Sequence, residues 1–165
     1  MEKISGNREK IITWLLDQPK DMIFEISERR KKRSLSANAY FHVLCQKVAE
    51  KTSQSLTEVK NQCIADYGQI DKELGTVILR NEIDWRKLTH LHLHPTTATR
   101  VLDDGKLYRV YYIMRGSHTY DTGEMSRLIE GIVQEAKAVG VETLTPRELE
   151  QMIGRWKSET DENDH

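Results

Sequence analysis

Residues 104–115 read Asp-Gly-Lys-Leu-Tyr-Arg-Val-Tyr-Tyr-Ile-Met-Arg, and their reading decides the fold class. Asp104-Gly105 is a tight-turn dipeptide. After it, Tyr108, Val110, Tyr112 and Met114 share one face of a strand, and Leu107, Arg109, Tyr111, Ile113 and Arg115 share the other. The period then changes. Past a Gly116-Ser117-His118-Thr119-Tyr120 loop, Asp121-x-x-Glu124 is a capping box, and Met125, Leu128, Ile129, Ile132, Val133 and Ala136 form one helical stripe, closed by Gly140. Thr145 as cap, Pro146 at the first helical position and Glu148 at the third open a last helix with Leu149, Met152, Ile153 and Trp156 on its buried side.

Working back from the turn, the expected order is as follows. A short helix over Arg8–Leu16 stops before Pro19, and the alternation of Met22, Phe24 and Ile26 predicts a strand. Ser34 to about Lys51 reads as a helix on Phe41, Leu44, Cys45, Val48 and Ala49, with Ser34 or Ser36 as its cap. Ser55-x-x-Glu58 opens another helix, which Gly68 ends. A strand is expected over Gly75–Arg80, one helical turn over Asp84–Leu88, and an extended stretch from Thr89 to Val101 interrupted by Pro95. Strands and helices do not alternate regularly, so the expected class is α+β: a small, mostly antiparallel sheet packed with several helices in a single domain over residues 1–157, with an acidic disordered tail at 158–165.

The chain has 165 residues, room for one core of ordinary size. Apolar residues make up 38% and charged residues 31%, enough of the former to fold. No apolar stretch approaches the ~20 residues of a membrane span, so a cytoplasmic protein without membrane contact is expected. Cys45 and Cys63 are too few for a disulfide framework and read as reduced core thiols. The net charge of −1 speaks against a polyanionic partner until its distribution is examined. Residues 1–115 carry 20 Lys/Arg against 15 Asp/Glu, net +5, and residues 116–165 carry 5 against 11, net −6.

The positive charge peaks at Arg29-Arg30-Lys31-Lys32-Arg33, just ahead of a predicted helix. A cluster that repels itself gains by meeting a polyanion, and helix N–H groups add to the attraction for phosphate. The alternative is a solvated loop. Arg109, Tyr111 and Arg115, continued by Ser117 and His118, interleave cations with a ring on which a base can stack, although the same face also suits ordinary ion pairs. Asn38 and His42, four apart, suit a buried hydrogen-bonded pair. His90, His92 and His94 at spacing two would all point one way in a strand, but alternate residues diverge and no fourth ligand follows. The competing reading puts Leu91 and Leu93 in the core and the histidines at solvent. No HNH spacing, nucleophile triad, phosphate loop or apolar carboxylate pair is present, so neither catalytic residues, a metal nor a cofactor is expected.

The junction Arg33-Ser34-Leu35-Ser36-Ala37-Asn38-Ala39-Tyr40-Phe41 resembles the phage Orf/NinB recombination family, which has an Arg-Ser-Leu-x-x-Asn stretch between a short strand and a long helix. A looser likeness runs over Tyr120–Val141, and together the two cover about a third of the chain. The chain also looks like phage proteins labelled HNH nucleases. The Orf/NinB resemblance implies a non-enzymatic homodimer in a bacterial host that binds single-stranded DNA and strand junctions and helps load a recombinase on strands covered by single-strand-binding protein. Arg33 and Asn38 are the positions it carries over. A metal-dependent nuclease using His90, His92, His94 or His118, and a protein adaptor without nucleic-acid contact, are the alternatives.

Overall fold

The computed structural model describes residues 4–27 and 35–152. Its elements in chain order are α1 (Arg8–Leu16), α2 (Leu35–Thr52), α3 (Leu56–Tyr67), β1 (Thr76–Arg80), a 3-10 turn (Trp85–Lys87), β2 (His92–Val101), β3 (Leu107–Met114), a second 3-10 turn (Ser117–Thr119) and α4 (Thr122–Ala138), followed by helix α5 over 146–152. The chain is α+β, with one antiparallel sheet ordered β1-β3-β2.

The helices form where the chain satisfies its first free N–H groups. Ser55 Oγ accepts from Glu58 N while Glu58 Oε2 accepts from Ser55 N, and Asp121 with Glu124 repeats the arrangement at α4. Thr145 and Glu148 do the same for α5. The predicted stripes are the core: Phe41, Leu44, Cys45, Val48 and Ala49 of α2 meet Val59, Cys63 and Ile64 of α3 and Met125, Leu128, Ile129, Ile132, Val133 and Ala136 of α4. Leu149 and Met152 dock α5 on this cluster. Gly131 lets α4 approach α3, because a Cβ there would collide with the Tyr67 ring. Burial pushes the Cys45 thiol up to about 12 and the Cys63 thiol well above its ordinary value, so both stay neutral.

Two boundaries differ from expectation. Residues 22–27 form no strand. Alternation alone does not supply a ladder partner, and Phe24 instead packs edge-on against Trp14 of α1, ring centroids 5.4 Å apart, leaving Ile23 97% exposed and Leu16 80% exposed. Of the two caps expected for α2, Ser34 lies outside the described residues and Ser36 is already inside the helix. The basic run Arg29–Arg33 and the tail at 158–165 also lie outside the described residues.

The sheet is joined by the predicted Asp104-Gly105 turn, with Gly105 in the left-handed region at φ 71° and donating to Leu102 O. β3 is central. Opposite Arg109 and Tyr111, β2 shifts register between Pro95 and Thr99, and Thr96 Oγ1 donates to Val110 O across the irregularity.

Candidate nucleic-acid interface

Directly paired residues on antiparallel strands point to the same side of a sheet. The register therefore builds rows. Arg80 of β1 and Arg100 of β2 both pair with Tyr108, and Thr76 and His94 both pair with Tyr112. One face thus carries Arg80-Tyr108-Arg100 beside Thr76-Tyr112-His94, with Ile78 paired to Val110 between them. Helix α3 covers only the end of this face nearest His92 and Met114, so Tyr112 remains 41% exposed and Arg80 and Arg100 reach solvent. Tyr108 donates its hydroxyl proton to Asp104 Oδ2 at 2.8 Å and lies beside the Arg80 guanidinium. The Lys106 N–H, the Tyr108 hydroxyl and Arg80 together hold the Asp104 carboxyl below its usual range. Among the described residues the Arg100 guanidinium makes no hydrogen bond or ion pair.

The histidines fasten this sheet to the helices. Asn61, 1% exposed, donates from Nδ2 to Arg86 O at 2.7 Å and to Leu88 O at 2.8 Å. Carbonyls only accept, so the amide orientation is settled, and Asn61 Oδ1 takes the remaining contact, His92 Nδ1 at 2.7 Å. His92 therefore carries its proton on Nδ1. The same logic applies to His94, whose Nδ1 donates to Ala65 O at 2.6 Å. Burial, with Lys60 and His118 nearby, lowers the His92 pKa and keeps it neutral. His90 is exposed and precedes the strand. The expectation of solvent-facing histidines fails for His92 and His94 because they hold α3, while Leu93 is buried as expected. Among the described residues no three His, Cys, Asp or Glu side chains are grouped to hold a metal.

The opposite face of β3 is the one on which the sequence placed a stacking platform, and here the structure corrects it. Tyr111 is 2% exposed, covered by the 3-10 turn that brings Trp85 to 6.5 Å from its ring at 52°. A covered ring offers no open stacking surface. Arg115 does not continue a basic row: its Nη2 lies 2.6 Å from Glu124 Oε2, its guanidinium also reaches Thr119 O, and it sits over the Tyr120 ring. It holds the entrance of α4. Ser117 is buried and His118 is exposed on the second 3-10 turn. Arg109 does stay with Tyr111, both lining a cleft of about 380 Å³ with Trp85 and Arg86.

Asn38 is half-buried with its Oδ1 accepting no hydrogen bond, so the expected pair with His42 is not made through that atom. The His42 ring meets Phe41 edge-on at 5.5 Å. The cross-strand residues Arg80 and Arg100 were missed in the sequence because their parity relative to Tyr108 depends on two registers, one of them shifted by the irregularity in β2. Asn61 carried no signal at all, being one polar residue in a helix.

No family model matches this chain, and no curated protein and no solved structure matches it either.

Proposed function

We propose that the protein binds single-stranded DNA across the uncovered face of its sheet, with Tyr112 and Tyr108 as stacking surfaces and Arg80 and Arg100 as phosphate contacts. One observation carries this reading: the register sets Arg80, Tyr108 and Arg100 in a single row beside an exposed Tyr112, the combination of rings and flanking cations that a flexible strand needs. Base stacking is tolerant of sequence, so the face accepts strands of varied composition. The likeness of Arg33–Phe41 to the Orf/NinB family supports the further reading that this binding serves phage or prophage recombination, with the protein as a homodimeric accessory that prepares strands or junctions for a recombinase. Arg29–Arg33 supply further phosphate contacts in this proposal.

The test is a salt titration of labelled single-strand binding. Each phosphate contact on a single strand contributes about −0.7 to the slope of log affinity against log salt. Replacing Arg80 and Arg100 together by Gln is expected to weaken binding and flatten the slope by about 1.4. An unaltered slope sinks the proposed face. A protein adaptor is the second reading, favoured by the exposed apolar side chains of Leu16, Met22, Ile23 and Ile26; it predicts no single-strand binding even at low salt.

A further inference from the structure

We infer that β1 is a pairing edge for a second copy of this chain: two β1 strands meet antiparallel about a two-fold axis at Ile78, joining two three-stranded sheets into one continuous sheet. The interface stands on the strand geometry alone, and its consequence for binding rests on the single-strand reading of the sheet face.

Because β3 is central, β1 and β2 are both edges. Exposed edges invite further pairing, and proteins guard them with proline, bulges and charge. β2 is guarded by Pro95 and by the register shift between Pro95 and Thr99. β1 has neither. It runs Thr-Val-Ile-Leu-Arg in unbroken register with β3, and its one charge, Arg80, stands at its end. Two bonds fix which backbone groups are spent. Ile113 N donates to Gly75 O and Asn81 N donates to Leu107 O, so Gly75, Val77, Leu79 and Asn81 turn their backbone groups toward β3. Thr76, Ile78 and Arg80 therefore aim theirs outward, and all three residues are exposed, Ile78 by 38%. Among the described residues only the Arg80 carbonyl of this set is engaged, by Ile83 N at 3.0 Å, and a carbonyl accepts a second donor.

A second β1 answers this edge in one register. With Ile78 opposite Ile78 of the second copy, Thr76 stands opposite Arg80 of that copy and Arg80 opposite its Thr76, so every outward N–H finds a carbonyl. Each arginine then faces a threonine, whereas parallel in-register addition would set two arginines side by side, where like charges repel. The two Ile78 side chains cover each other. The axis is perpendicular to the sheet, so the open faces of both copies lie on the same side. The row Arg100-Tyr108-Arg80 runs on into Thr76-Tyr112-His94 of the second copy, and the symmetry-related row repeats it. Each copy alone offers half of that track.

The experiment is sedimentation of the full chain in its native, Ile78→Lys, Ile78→Cys and Leu79→Cys forms. The native chain is expected to dimerise. Ile78→Lys sets two ammonium groups face to face across the axis and should raise the dissociation constant at least about 10-fold, with the circular dichroism unchanged. Ile78→Cys reads the register directly, because hydrogen-bonded antiparallel partners have Cα atoms about 5.5 Å apart, a span that a disulfide bridges. Diamide, a two-electron oxidant of thiols, should link Ile78→Cys into a covalent dimer. It should leave Leu79→Cys unlinked, since the two Leu79 positions are offset along the strands. A native chain that stays monomeric at the concentrations used for strand binding, a dimer that Ile78→Lys leaves intact, or Leu79→Cys linking as fast as Ile78→Cys overturns the edge. A dimer linked at Ile78 that binds no single strand keeps the edge and defeats the sheet-face proposal, and single-strand binding by a chain that is always monomeric does the reverse.

Discussion

Replacing Asn61 by Ala should loosen the sheet from the helices. The side chain is 1% exposed and makes three short contacts, two N–H donations at 2.7 and 2.8 Å and one acceptance from His92 at 2.7 Å. Each such bond contributes about 0.5–1.5 kcal/mol net, and more where its partner is left buried without water. Three of them place the loss at about 3 kcal/mol. For a chain of this size a urea m-value of about 2 kcal/mol/M converts that into a midpoint lower by about 1.5 M. Asn61→Leu is the informative companion. It keeps the volume but strands the Arg86 and Leu88 carbonyls and the His92 N–H, so it should lose at least as much as Asn61→Ala if hydrogen bonding is the cause. A loss below about 1 kcal/mol for Ala at unchanged m, or a Leu variant as stable as the native chain, would refute the reasoning. Because Asn61 also holds the backbone of the Trp85 turn, both variants should broaden the Trp85 indole resonance.

Three further outcomes follow from the same contacts. His92 has a pKa below its unfolded value, chiefly through burial, so between that lowered pKa and about 6.5 the unfolded chain binds more protons. Stability is full above that window and falls as pH drops through it, and urea midpoints of His92→Gln should depend less on pH across it. Arg115→Gln should cost about 2–4 kcal/mol by leaving Glu124 without its cation at the α4 entrance, yet change single-strand affinity less than twofold; a large affinity loss in folded protein would return Arg115 to the binding surface. Cys45 and Cys63, buried and held as thiols, should react with a thiol reagent at a rate limited by unfolding, and fast labelling of native protein would contradict the core packing.

The helices were legible because their signals are local. Capping boxes at Ser55, Asp121 and Thr145 and the stripes of α2 and α4 lie within a few residues of one another, and all appear where expected. The Asp104-Gly105 hairpin belongs to the same category. What failed depended on contacts distant in sequence. The alternation of β3 defines two faces without saying which is covered, and Tyr111 is covered by a turn 26 residues upstream. Arg115 was drawn to Glu124, although each residue had separately been assigned to an element. The segment Met22–Ile26 has the period of a strand but forms no ladder among the described residues, and Phe24 packs against Trp14 instead. The open face of the sheet was therefore half visible: Tyr108 and Tyr112 were on one row in the sequence, and the arginines that flank them came only with the register.

The most direct measurement is the affinity of Tyr112→Ala for a labelled single strand at one fixed salt concentration, alongside its melting temperature. Tyr112 is exposed, so melting should fall by no more than a few degrees while loss of one stacked base, worth about 1–3 kcal/mol, weakens binding by about 5- to 150-fold. Unchanged affinity in a folded Tyr112→Ala protein would contradict binding across this face.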